Sequence, residues 1–166
     1  MISSTSNVSV DRAGAVAIVT MRRADKRNAL SLVMMRELEA ALRALAGETD
    51  VHAVILAGEG AAFSAGHDLR ELADRDAAAY VEIFDQCVRL MAAIESAPQP
   101  VIAEVDALAT AAGCQLVAAC DLAVASDHAR FATPGVRIGL FCSTPMVALS
   151  RAVGRKRAME MLLTGA

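Results

Sequence analysis

The chain has 166 residues, of which 55% are hydrophobic and 21% charged, enough to build one buried core and too rich in apolar residues for a disordered chain. Sixteen basic residues against 19 acidic ones leave a net charge of −3, and aromatic residues are only 3%, with no tryptophan. Neither a phosphate-attracting field nor stacking platforms for bases are present, so no nucleic-acid partner is expected.

Ala15 to Met21 (AVAIVTM) is a short β-branched apolar run after a turn-like Asp11 to Gly14, and reads as a strand leaving a hairpin. A charged loop, Arg22 to Leu30, leads to Ser31, a natural N-cap. Leu32, Met35, Leu38, Leu42 and Leu45 then recur at helical spacing until Gly47. Val51 to Ala57 (VHAVILA) reads as a buried strand that includes His52. The next helical pattern runs from Asp76 to Ser96, with Tyr80, Ile83, Phe84, Cys87, Leu90, Met91 and Ile94 on one face, and Pro98 and Pro100 end it. Pro100 to Val105 reads as a strand, an alanine-rich segment enters a helix near Ala112, and Asp121 to Ser126 is a strand again. Phe131, Val136 and Ile138 are expected in short extended pieces, His128 in a polar turn, and Pro145 to Val153 and Lys156 to Leu163 in two helices. Strands alternating with helices predict an α/β fold with a mostly parallel sheet in one domain, residues 1–166.

Cys87, Cys114, Cys120 and Cys142 lie far apart in apolar sequence with no C-x-x-C pair. This spacing predicts reduced, buried thiols and no metal site. The N-terminal MISSTSNVSV has neither the charged nor the apolar region of a secretory signal, and Glu104, Asp106 and Gln115 interrupt the longest apolar run, Val101 to Cys120. A cytoplasmic protein with no membrane partner is expected.

Two segments invite chemistry. In Ala62 to Leu69 (AFSAGHDL), Ala65 and Gly66 are small enough for a ligand to approach the main chain. In Ala107 to Asp121 (ALATAAGCQLVAACD), the small residues Ala111, Ala112 and Gly113 open a helix, whose first N–H groups are unpaired and suit a developing negative oxygen. Close helix packing would equally use such small residues. No G-x-G-x-x-G or P-loop occurs, which disfavours a nucleotide-binding domain.

KRNALS at Lys26 to Ser31, AFSAGHDL, PVIAEVDALATAAGCQLVAACD at Pro100 to Asp121, FATPGVRIG at Phe131 to Gly139 and RAVGRKRAMEMLLTG at Arg151 to Gly165 together resemble the enoyl-CoA hydratase/isomerase, or crotonase, family. ATAAGCQLVA, FATPGV and GLFCSTP are most like one of its subgroups. The resemblance implies a crotonase-type spiral of ββα units. It also implies an oxyanion hole in which the backbone N–H groups of Ala65 and Ala112 hold a thioester carbonyl as it becomes an enolate, in acyl-CoA or fatty-acid metabolism. Coenzyme A would enter as part of the substrate, with no permanently bound cofactor. Ala65, Gly66, His67, Asp68 and Leu69 would line it, and Lys26, Arg27 and Ala29 would meet its nucleotide end. The family also implies a homo-oligomer, a trimer or hexamer, and a C-terminal helical region beyond the blocks matched here.

The departures bear on activity. The two glutamates with which hydratases of the family add water correspond to Gln115 and Gly135, neither of which titrates. A later catalytic carboxylate, used by some relatives that lack those glutamates, falls on Cys142, which could act as nucleophile or base, or simply pack. Ser143 and Thr144 could cap the following helix. An enzyme of hydratase, isomerase, hydrolase or lyase type and a catalytically weak CoA-ester-binding or regulatory protein therefore both stand, with Gln115 left to orient water or a carbonyl.

Overall fold

The structure, a computed structural model, describes residues 6–166; the start of the polar stretch read at residues 1–5 lies outside them. An antiparallel hairpin opens the fold, β1 (Val8–Ala13) pairing with β2 (Val16–Met21) from Val8↔Met21 to Ala13↔Val16. The turn falls at Gly14 and Ala15, so Asp11 to Ala13 belong to β1 and not to the expected turn. The polar residues of β1 concealed it from pattern reading: its burial fades from Val8 outward, as suits an outer strand.

After a 3₁₀ turn (Ala24–Lys26), α1 (Leu32–Ala46) starts where Ser31 Oγ accepts the Met34 N–H. Its stripe of Met34, Met35, Leu38, Leu42 and Leu45 is buried. Next come β3 (Ala53–Gly58), β4 (Ala62–Ser64), the single turn α2 (Leu69–Leu72) and α3 (Ala77–Glu95), which Asp76 caps through the Ala79 N–H. His52 precedes β3 and is exposed, so it is not the buried strand residue expected. The remaining elements are β5 (Val101–Val105), β6 (Leu108–Thr110), α4 (Ala112–Ala119), β7 (Leu122–Ala125), β8 (Arg130–Ala132), a 3₁₀ turn (Pro134–Ile138), α5 (Ser143–Ala152) and α6 (Arg155–Thr164). Val136 and Ile138 therefore sit in a tight turn and not in extended pieces, because Pro134 sets its first φ.

The strands form two sheets, β1-β2-β3-β5-β7 and β4-β6-β8, parallel throughout except for the first hairpin. From β3 onward, successive strands thus alternate between the two sheets, as a ββα spiral requires. The inward residues of the larger sheet, such as Val19, Met21, Leu56 and Val101, form one core with α1 and α3. Between these helices, Glu39 of α1 accepts from Gln86 of α3 at 2.6 Å, and it also accepts from Arg43 one turn along α1 at 2.7 Å. A smaller cluster of Cys114, Cys142, Leu149, Ala158, Met161 and Leu162 holds α5 and α6 against α4.

Candidate active site

The second sheet brings the two chemical segments together. β4 pairs with β6, Thr110 Oγ1 donates to Ala65 O at 3.0 Å, and α4 begins two residues after Thr110. Gly113 packs so closely on this junction that a methyl on its Cα would collide with the Ser64 carbonyl oxygen and stand 2.8 Å from Ser64 Cβ. Ala111, which introduces α4, has φ +50° and ψ −120°, a costly backbone for a residue with a Cβ. This strained corner lets α4 start directly against the AFSAGHDL loop.

Asn28 organises that loop, although the sequence reading passed over it between Arg27 and Ala29. It is fully buried, with φ +50°. Its Nδ2 donates to Glu59 O and Ala62 O, each at 2.9 Å, and its Oδ1 accepts the Arg23 N–H at 2.9 Å. The Asn28 carbonyl accepts from Ser64 Oγ, and Ser64 Oγ in turn accepts the Gly66 N–H at 3.2 Å. The sequence signal was the residue type: a short amide tolerates left-handed φ and satisfies neighbouring backbone.

This clamp decides which N–H groups are free. Ala65 donates its N–H to Arg27 O at 2.9 Å, so it does not offer the donor expected of it. Gly66 N–H is also occupied. The Gly66 carbonyl accepts from Leu30 N at 2.8 Å, and because a trans peptide places N–H opposite C=O, the His67 N–H points away from Leu30. Neither His67 N–H nor Ala112 N–H has a hydrogen-bond partner among the described residues. Gly66, at φ +88°, is the spacer between them: a methyl there would lie 3.1 Å from Ala112 N and 2.9 Å from Ala111 Cβ. The Ala112 N–H stands at the positive end of α4, next to Gly66.

Side chains complete the surroundings. The His67 ring is buried edge-on against Phe84 of α3, with centroids 5.4 Å apart, and neither ring nitrogen has a hydrogen-bond partner. Burial pulls its pKa below the ordinary histidine value, opposed by the Leu30 carbonyl nearby, which lies outside good hydrogen-bond geometry. Asp68 is engaged twice, capping α2 through the Arg70 N–H and pairing with Arg23 at 2.9 Å. Leu69 is exposed. Lys26 pairs with Asp25 at the surface, Arg27 is exposed, and Ala29 is buried with its carbonyl held by Arg23. His128 sits in an exposed turn beside Asp127 and Asp106.

Gln115 lies on the first turn of α4, buried, with its Oε1 unpaired. Gly135 has no room for any side chain: a methyl would strike the Leu140 carbonyl oxygen and stand 2.8 Å from Cys142 Sγ. Cys142 immediately precedes α5 without a side-chain capping bond and belongs to the small cluster with Cys114. Burial pushes the Cys114 thiol up to about 11, reinforced by Cys142. Ser143 and Thr144 lie inside α5 and so are not its caps.

The family model for enoyl-CoA hydratase/isomerase matches residues 11–166. The chain is 55% identical over 141 residues to human enoyl-CoA hydratase domain-containing protein 3, mitochondrial, covering 84% of this chain and 46% of that one. It is 34% identical over 161 residues to 2,3-dehydroadipyl-CoA hydratase of Escherichia coli K12, covering 96% and 62%. Among solved structures, an enoyl-CoA hydratase from Mycobacterium smegmatis has a TM-score of 0.93 at 52% identity, covering 96% of this chain and 63% of that one. The human domain-containing protein 3 has a TM-score of 0.92 at 48% identity, with 96% and 64% covered. The chain spans about half the length of the first of these relatives. The subgroup indicated by ATAAGCQLVA, FATPGV and GLFCSTP is that of the human protein. The expected cytoplasmic location is corrected by the same comparison: the relatives of this subgroup from human, mouse, rat, Xenopus laevis and Danio rerio are all named mitochondrial.

Proposed function

Because the chain belongs to the enoyl-CoA hydratase/isomerase family, we propose that it binds acyl-CoA thioesters and stabilises the thioester enolate with the backbone N–H groups of His67 and Ala112. The observation that carries this reading is the pair of unengaged peptide donors on either side of Gly66. A thioester carbonyl oxygen seated there accepts two hydrogen bonds, which strengthen as transfer of the α-proton to a base from solvent moves negative charge onto it. Each such donor is worth about a hundredfold to a thousandfold in rate.

Coenzyme A is held as part of the substrate, its nucleotide end near the exposed Arg27 and its acyl end near His67 and Gln115. The active form is a homo-oligomer, as the family resemblance implies. Gln115 orients the carbonyl or a water without exchanging protons. Water addition by two carboxylates is not available to this site, since Gly135 cannot accept a side chain without moving the Leu140 carbonyl. The same observation favours a second reading, a CoA-ester-binding protein with little turnover.

Exchange of the α-protons of butyryl-CoA in deuterated water separates the two readings, because it reports enolate formation without hydration. Wild-type protein should accelerate exchange, while Ala112→Pro, which deletes one donor at the first position of α4, should lose about a hundredfold or more. Tight binding of butyryl-CoA without exchange supports the second reading. Binding no stronger than that of free CoA removes both.

A further inference from the structure

The His67 N–H is free only because of how its neighbours are held. Leu30 and His67 meet in an isolated parallel bridge outside both sheets. Leu30 N–H donates to the Gly66 carbonyl at 2.8 Å on one side of His67, and Asp68 N–H donates to the Leu30 carbonyl at 3.2 Å on the other. Upstream, the segment is tied further through the Ala65 N–H and the Ser64 hydroxyl. Downstream, before α2, the long Asp68 bond is the one main-chain tie among the described residues.

Arg23 supplies the missing constraint. Its Nη2 pairs with Asp68 Oδ2 at 2.9 Å while its Nη1 donates to the Ala29 carbonyl at 3.2 Å, so one planar guanidinium joins the residue before Leu30 to the residue after His67. The base of this side chain is itself fixed, since Arg23 N–H donates to Asn28 Oδ1 and Arg23 O accepts the Asn28 N–H, each at 2.9 Å. With side chains only 23% and 11% exposed, the Arg23–Asp68 pair is sheltered from screening by salt. A sheltered ion pair is a poor source of net stability, whereas two-pronged hydrogen bonding fixes position.

We propose that Arg23 is a positioning residue of the site: it acts through Asp68 and Ala29 to keep the His67 N–H turned toward the thioester oxygen, without touching the substrate. This rests on the reading of the site as an acyl-CoA site. Lysine in its place keeps the charge but lacks the planar fork, so it holds Asp68 without also holding Ala29.

Nuclear magnetic resonance of the isotope-labelled chain, with butyryl-CoA as the probe, tests this. In the wild type, butyryl-CoA should shift the amide resonances of both His67 and Ala112. Arg23→Lys should keep the Ala112 shift and lose the His67 shift, and Asp68→Asn, which retains an oxygen to cap α2, should do the same. Glu71→Ala is the structural comparison. Glu71 ties the same segment to the Leu32 N–H at 2.7 Å, beyond Asp68, so its loss should lower the melting temperature and leave both shifts in place. A His67 shift that survives in Arg23→Lys overturns the proposal. So does loss of both shifts in that variant, or loss of the His67 shift in Glu71→Ala, since either would mean that any loosening of the fold disturbs the donor. If neither amide shifts in the wild type, the acyl-CoA reading itself fails.

Discussion

Gly113→Ala sets two effects of opposite sign against each other inside α4. Alanine is the better helix former, by about 0.8–1.0 kcal/mol. Its methyl, however, would meet three atoms of Ser64, the carbonyl oxygen in hard collision, Cβ at 2.8 Å and the carbonyl carbon at 2.9 Å. Two of these are main-chain atoms, and Ser64 is fixed from the other side by its bonds to Asn28 O and the Gly66 N–H. Overpacking against main-chain atoms held this firmly falls in the upper part of the usual range, about 2–3 kcal/mol, so the rigid neighbour decides the sign, and a net loss of about 1–2 kcal/mol is expected. For a chain of this size that is a fall of roughly 2–8 °C in melting temperature, read by calorimetry or circular dichroism. Adding Ser64→Gly should not restore the melting point, because the nearest obstacle is the carbonyl and not the side chain. A Gly113→Ala protein that melts at or above wild type would refute the argument that α4 is wedged against β4.

Asn28→Ala should cost about 2–3 kcal/mol in urea unfolding, since it leaves the Ala62 carbonyl unpaired in the interior and removes the partner of the part-buried Glu59 carbonyl and Arg23 N–H; a loss under about 1 kcal/mol would dismiss Asn28 as the organiser of the loop. His67 carries a pKa lowered by burial, so the unfolded chain binds its proton more readily. Its contribution to stability is complete above the unfolded value of about 6.5 and declines as pH falls from there toward the folded pKa. His67→Phe should flatten that part of the pH–stability curve. Gln115→Glu combined with Gly135→Glu should not restore rapid hydration of crotonyl-CoA and should lower stability, which an enoyl-thioester absorbance assay and a melt together check. Cys142 should react slowly with a thiol reagent in the native state, in keeping with its place among Cys114, Leu149 and Met161; labelling as fast as in the unfolded chain would show an open, activated thiol.

Much of the fold was legible because periodicity and punctuation agreed. Ser31 and Asp76 cap α1 and α3 where the sequence places their starts, and Pro98 and Pro100 follow the end of α3. The smaller sheet was not legible. β4, β6 and β8 have three residues each, too short to display alternation, and are defined by their partners. Within the site, Gly66 and Ala112 stood out by size and place. The exchange of Ala65 for His67 as the free donor could not be read, since it follows from which carbonyls of Arg27 and Leu30 face the loop. Gly135 read only as a missing carboxylate, whereas its packing shows that the backbone has closed over the position.

The larger sheet is laid down in the order in which the chain is made: each strand after the hairpin joins the edge left by the one before, ending with β7. β4, β6 and β8 follow the same rule in the smaller sheet. A chain emerging from the ribosome can thus assemble from its N-terminal hairpin outward without inserting a strand between two already paired. Its parallel crossovers make each addition slow compared with hairpin closure. Every pause in synthesis then displays a fresh row of unpaired peptide groups, and the edge shown by β7 has Leu122 60% and Val124 65% exposed. Such edges pair with one another, so the yield of native protein should depend on how quickly nascent chains are separated or shielded as much as on the stability of the finished fold.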